Sequence, residues 1–359
     1  MINLQKIKKV GYGFGFGGTF ANKAKYTKVH KDTLKFFCNC KKGNFIDTAI
    51  IYGSGASEKL IGNFDKKIKK NLFISTKVSP ENLSYKNFIN STLQSLKNLK
   101  VKKIDLIQPH WPNYQIDKNE IVKAFKYLKQ QGKVRYFGLS NYDLKDVRFF
   151  KKKLGKDFQF VQEYYSIRDR SLEKNIKYYE KYGLKIVCYS PLGTGGLKFS
   201  EKESKLLKQL SKKYQKNSVS IILNYLSSKS KNIILIPNTK KIKHLKDNLE
   251  SIDYKIKRTD IKKIDKSFKV KYVNLKLKDV IYKDEKYKKI KSLQDAIENK
   301  GKLIPSPIVL ANKLKEGNKV KHIKLKKIKN KYYLCEGRLK FWAHVIAFGW
   351  NKKLEMIVS

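Results

Sequence analysis

The chain has 359 residues, a formal net charge of +52, 41% hydrophobic residues and 4 cysteines. That length exceeds one ordinary domain and allows a sizeable buried core. No apolar run approaches membrane-spanning length, and the start MINLQKIKKVGYGFG lacks the apolar stretch of a signal peptide, so neither a membrane span nor a leader is expected and a reducing, cytoplasmic setting is.

In chain order, Val10–Gly15 reads as a first strand. Gly13, Gly15, Gly17 and Gly18 lack the G-x-G-x-x-G pattern with a later acidic residue, so they read as that strand and a close-packed loop. Cys38 and Cys40 form C-x-C in a helix-like stretch, with no second pair to complete a zinc site, and no metal is expected. Strand-like runs then alternate with amphipathic helices to about residue 268, the signature of a parallel α/β architecture. The predicted strands are 45–49, 72–77, 105–110, 134–141, 160–164, 186–190 and 233–237. Helices are predicted at 58–69, 85–99, 118–131, 240–249 and 260–268, with Ser57 as an N-cap and Gly132 as a stop. Eight such units fit a (β/α)8 barrel, a TIM barrel, over 1–270.

Four residues stand at or just past strand ends: Asp47 and Tyr52 in FIDTAIIYG, Lys77 closing LFISTK, and His110 closing IDLIQPH. Barrel strand ends converge on one face, so a carboxylate, a phenol, an ammonium and an imidazole are expected in one cluster. That inventory suits proton delivery to a substrate oxygen. Each residue alone also has a bland reading: a helix-capping Asp, a loop Tyr, a surface Lys, a core His.

GNFIDTAIIYGSGASEKLIGNF, ISTK, DLIQPHWPN, GKVRYFGLSNY, FVQEYYSI, IVCYSPLGTGGL and IILIPN…HLKDNL resemble the aldo-keto reductases, in that family's order, over roughly 5–268. The resemblance implies nicotinamide-dependent reduction of a small carbonyl, sugars among the candidates, to an alcohol. It implies Tyr52 as proton donor, aided by Lys77 because a phenol of pKa ~10 is a weak acid at neutral pH. Asp47 would hold Lys77, and His110 would orient the substrate oxygen. Ser140, Asn141 and Gln162 match the residues that hold the nicotinamide carboxamide, Tyr189 the ring-stacking aromatic, and Ser190, Leu192 and Gly193 the pyrophosphate loop. Ser-Asn could instead cap the next helix, and Pro-Leu-Gly could be a simple turn. At the adenosine end the matching residues are Asn238, Thr239, His244 and Asn248. His244 stands where NADP-preferring members often carry Arg, so NADP is the expected cofactor and NAD the alternative.

Residues 271–359 hold a helix-like KIKSLQDAIENKG, a Lys-rich hairpin and a last helix whose apolar face is Leu339, Trp342, Ala343, Val345 and Ile346, stopped by Gly349. With a strand at 303–310, a strand at 332–335 and the Glu336-Gly337-Arg338 turn, this resembles the ParB/sulfiredoxin-like fold, a small α+β domain. The resemblance implies a nucleotide phosphate at Gly337 and Arg338. Cys335 precedes Glu-Gly-Arg rather than the sulfiredoxins' Gly-Cys-His-Arg, so thiol repair chemistry is not transferred. The alternative role for the chain is a nicotinamide sensor or a nucleotide- or DNA-binding regulator. Nucleic acid is disfavoured: the charge is spread, +37 over 1–270 and +15 over 271–359, and arginine, the better base reader, occurs only at 135, 148, 168, 170, 258 and 338.

Overall fold

The computed structural model describes residues 4–15, 28–193, 197–282, 290–317, 320 and 322–358; Gly17 and Gly18 lie outside them. Two compact units are present, Met1–Trp111 with Lys118–Phe268, and Pro112–Asp117 with Lys269–Ser359.

In the first unit eight parallel strands stand in sequence order: β1 (Tyr12–Gly13), β2 (Phe45–Asp47), β3 (Phe73–Val78), β4 (Ile104–Pro109), β5 (Val134–Ser140), β6 (Phe158–Tyr164), β7 (Lys185–Tyr189) and β8 (Ile233–Ile236). The ends of the sheet meet: Gly11 N donates to the Leu235 carbonyl at 2.8 Å and Gly13 N to that of Pro237 at 3.2 Å. Side chains alternate across each strand, so every second residue points into the barrel. Phe45, Leu106, Phe160 and Ile234, one each from β2, β4, β6 and β8, pack with Phe73 and Val187 into an apolar layer. Two residues further along β2, β4 and β6 stand Asp47, Gln108 and Gln162, all buried. The interior therefore turns polar toward the C-terminal strand ends, where barrel sites lie.

The helix predicted at 58–69 is two, Ala56–Gly62 and Lys66–Lys69. Asp65 caps the second by accepting from Lys67 N at 2.6 Å. The buried Lys69 ammonium donates to the carbonyls of Gly62 and Leu99 at 2.7 and 3.2 Å. It thereby satisfies orphan carbonyls at the ends of two helices. Ser57 is not the N-cap: Gly55 takes that place with φ +88°, and the Ser57 hydroxyl donates to the Phe14 carbonyl at 2.6 Å. Tyr85–Leu99 forms as predicted, and Lys118–Gln130 ends before Gly132 at φ +64°. No disulfide joins the four cysteines. Among the described residues no helix is long and apolar enough to cross a membrane.

The second unit is α+β. Its strands are β9 (Lys271–Lys276), β10 (Val280–Ile281), β11 (Lys324–Ile328), β12 (Lys331–Glu336) and β13 (Lys353–Val358), in the spatial order β10-β12-β11-β13-β9. β11 and β12 form the Lys-rich hairpin. Leu277, Ile323, Leu325, Phe341, Trp342 and Met356 are buried in one core. The strand expected at 303–310 is not there. Pro307–Lys315 is a helix instead, started by Ser306, whose hydroxyl accepts from Val309 N at 3.3 Å, with Pro307 in the first turn. Cap and N-terminal proline start a helix where the ParB/sulfiredoxin-like resemblance implied a strand. Tyr114 of the 112–117 segment packs with Leu310, Ala311, Leu314 and Ala343 within this unit.

Candidate active site

Asp47, at the end of β2, is 3% exposed and accepts three hydrogen bonds: Lys77 Nζ at 2.6 Å, Ser75 Oγ at 2.9 Å and Gln162 Nε2 at 3.1 Å. Lys77, on β3 and 1% exposed, donates also to the Thr48 carbonyl at 2.8 Å. Burial pulls the Lys77 ammonium below its ordinary range, against the opposing pull of Asp47. A second buried carboxylate stands behind the pair. Glu58 accepts from Thr76 Oγ1 at 2.6 Å and Asn98 Nδ2 at 2.9 Å, and burial raises its pKa.

The turn after β2 carries Tyr52 back over this pair. The Lys77 Nζ lies 5.4 Å from the centre of the Tyr52 ring, and the hydroxyl is 3.3 Å from His110 Nε2. Gly15 makes the approach possible, since a Cβ there would stand 2.5 Å from the ring. His110 follows β4 with its amide on the Val78 carbonyl at 2.8 Å. Burial, and then the Lys77 charge, hold its imidazole well below the ordinary 6.5. It is therefore neutral at pH 7. Its Nδ1 is buried without a hydrogen-bond partner among the described residues. Trp111 stacks on the imidazole at 3.8 Å with 14° between planes, which fixes the ring's plane.

These four residues line a cavity of about 480 Å³ together with Ser140, Asn141, Gln162, Tyr189, Ser190, Leu192, Gly193 and Asn238. Ser140 and Asn141 do not cap the helix Leu144–Leu154; Asp143 does, accepting from Asp146 N at 2.8 Å. Asn141, at φ +67°, instead donates to the His110 carbonyl and accepts from the Tyr189 hydroxyl at 2.7 Å. Ser190 to Gly193 does form a turn, closed by Gly193 N to the Ser190 carbonyl at 2.9 Å, on the cavity wall. Three residues lie outside the cavity lining. Thr239 gives its carbonyl to the Tyr12 hydroxyl, His244 is exposed on the helix Ile242–Leu249, and Asn248 is buried in that helix.

Gln108, Ser75, Glu58 and Trp111 went unassigned in the sequence reading. Gln108 could have been found from its place two residues before His110, because that spacing puts it on the inward face of β4. Ser75 and Glu58 have no local signal, since their partners come from other strands and helices. Among the described residues no group of acidic, His and Cys side chains could hold a metal ion.

Comparison with known proteins gives the same picture from sequence. The profile described as "Aldo/keto reductase family" matches residues 9–269. Methylglyoxal reductase YeaE of Escherichia coli (strain K12) is 25% identical over 226 residues, covering 62% of this chain and 79% of its own. Glyoxal reductase of Bacillus subtilis (strain 168) is 27% identical over 229 residues, covering 61% and 77%. A crystal structure of a thermostable aldo-keto reductase in complex with the inhibitor epalrestat superposes with a TM-score of 0.64 at 29% identity, covering 72% of this chain and 95% of its own. The aldo-keto reductase from Klebsiella pneumoniae, solved with NADPH, shares the fold at 20% identity with a TM-score of 0.64, covering 73% and 91%. With an eight-stranded parallel barrel, a polar cluster at its strand ends and a family match over 9–269, this chain belongs to the aldo/keto reductase family.

Proposed function

We propose that this protein reduces a small aldehyde or ketone to the alcohol, with Tyr52 as the proton donor and NADP as the cofactor, NAD being the alternative. The observation that carries this reading is the Tyr52 hydroxyl 3.3 Å from Nε2 of the buried His110, with the buried Lys77 ammonium 5.4 Å from the centre of the same ring. The residues fit a nicotinamide: the cavity wall joins two amides and a hydroxyl (Asn141, Gln162, Ser140) to the Tyr189 ring. When bound, the cofactor supplies the hydride. The side chains do the rest. His110, protonated on Nε2, offers an N–H to the carbonyl oxygen and aims it at Tyr52. As negative charge gathers on that oxygen, the Tyr52 proton moves to it. The Lys77 charge stabilises the phenolate left behind, and Asp47 holds Lys77 in place.

Ser190, Leu192 and Gly193 are assigned to the pyrophosphate, and Asn238, Thr239, His244 and Asn248 to the adenosine end. Two of the relatives named above reduce 2-oxoaldehydes, so methylglyoxal and glyoxal lead the substrate panel, with sugar aldehydes next. Tyr52→Phe is expected to lower kcat by at least ~10²-fold, the usual worth of a positioned acid, while NADPH still quenches or shifts protein fluorescence as before. Near-normal turnover by that variant would sink the mechanism. Binding without turnover across the panel would favour the sensor.

For the second unit we propose a phosphate-bearing ligand at the turn after β12. Gly337 stands there in the left-handed region at φ +97°, and Arg338 opens the helix Arg338–Phe348. Calorimetric titration of the whole protein with ATP, ADP and CTP tests it. No heat with any of them leaves this unit a structural role.

A further inference from the structure

We propose that Gln108, a fully buried residue outside the cavity lining, is the positioning residue that holds the Gln162 carboxamide in the one orientation Asp47 allows. The inference rests on the assignment of Gln162 to the nicotinamide pocket made above. Asp47, on β2, is a carboxylate and can only accept hydrogen bonds. Its Oδ2 lies 3.1 Å from one end of the Gln162 amide, so that end must be the NH₂. The Gln162 oxygen then faces Gln108, whose NH₂ donates to it and also to Ser75 Oγ at 3.2 Å. Ser75 in turn donates to the other Asp47 oxygen at 2.9 Å.

The direction of every bond in this loop follows from the one acceptor-only group. Reversing Gln162 would set its oxygen against Asp47 and its NH₂ against the NH₂ of Gln108. Reversing Gln108 would set two amide oxygens against each other. The arrangement costs something: the Gln108 Oε1 is buried with no hydrogen-bond partner among the described residues. It faces Gly138, where an added Cβ would come within 3.1 Å of it. An unpaired buried acceptor is tolerated at the one residue whose donors lock Gln162.

The consequence is a defined polarity for the cavity wall. With one N–H committed to Asp47 and one oxygen lone pair to Gln108, Gln162 keeps its other lone pair and its other N–H at fixed ends of the amide for a carboxamide to meet. Asp47 also holds Lys77 under Tyr52. One carboxylate therefore ties the group that would orient hydride transfer to the group that supports proton transfer.

The test uses the full-length protein and NADPH alone, read by fluorescence titration, followed by steady-state kinetics with methylglyoxal or whichever carbonyl turns over. Gln108→Met keeps the side-chain length and removes the donor; Gln108→Leu also removes the donor, with a shorter side chain, should the first variant fail to fold. The expected result is a rise in the NADPH dissociation constant of about tenfold, the loss of roughly one hydrogen bond to a buried acceptor. The KM for the carbonyl at saturating cofactor should stay within about twofold, because no substrate contact is removed. In a Gln162→Met background the same Gln108 change should add less than about twofold, since it acts through Gln162. If Gln162→Met weakens NADPH binding and Gln108→Met does not, or if the two effects simply multiply, the positioning role is overturned. If Gln162→Met itself leaves NADPH binding unchanged, the pocket assignment fails first, and the two failures are told apart.

Discussion

At the scale of single residues, two side chains carry consequences that can be measured. His110 is neutral in the folded protein because burial and Lys77 disfavour its charge. Its folded pKa lies below the ordinary 6.5, so below that pH the unfolded chain binds a proton that the folded chain refuses. The stabilising term is thus complete above about 6.5 and is lost as pH falls toward the folded value, by up to about 1.4 kcal/mol per pH unit. Burial also lowers the pKa of His30 and His344, so three histidines act in this direction. His110→Phe should flatten, not abolish, the fall in melting temperature between about pH 7.5 and about pH 5.5; an unchanged slope would contradict the buried neutral imidazole. His244 lies on the first turn of its helix, exposed and outside the cavity lining. A guanidinium there would add a charged fork for a 2′-phosphate. His244→Arg is expected to tighten NADPH by about fivefold to tenfold, the worth of one charge-assisted contact, and leave NADH unchanged. Equal gains for both cofactors would show that the side chain does not reach the 2′ position.

At the scale of elements, the alternation of side chains along β2, β4 and β6 sets an apolar layer beneath a polar one. The strands were legible because parallel strands buried on both faces read as apolar runs. The helix break at 63–65 was overlooked although Asp65 is a local N-cap signal; the Lys69 ammonium that ties the break to the Leu99 carbonyl, thirty residues away, has no such local signal. The end of the helix that follows Tyr52 lies against the helix Tyr85–Leu99 so closely that a Cβ on Gly62 would stand 2.1 Å from the Asn98 carbonyl oxygen. Backbone cannot yield as a side chain can. Gly62→Ala should therefore cost about 1–3 kcal/mol of stability, outweighing the roughly 1 kcal/mol that alanine gains in helix propensity. A melting temperature at or above that of the parent would mean that the two helices separate without penalty.

At the scale of the whole molecule, the charge of +52 sits on a chain with 82 basic and 30 acidic residues. Such an excess repels itself in the compact state. Raising NaCl from about 10 to about 150 mM shortens the screening length from roughly 30 to 8 Å. The melting temperature is expected to rise by a few degrees over that range; a fall would mean that attractive pairs such as Arg168–Glu203 and Lys118–Asp146 dominate.

What the sequence by itself determined is the order of strands and helices, the barrel class, and the set of residues at strand ends that meet around one cavity. Local periodicity and the strand-end rule suffice for that, because each strand end is brought to the same face whatever lies between. Only the tertiary structure decided the rest: Ser57 bonding the Phe14 carbonyl instead of capping, and the Gln108–Gln162–Asp47 chain that orients an amide. Those outcomes depend on partners tens of residues distant, whose hydrogen bonds and contacts exist only once the chain has closed around them.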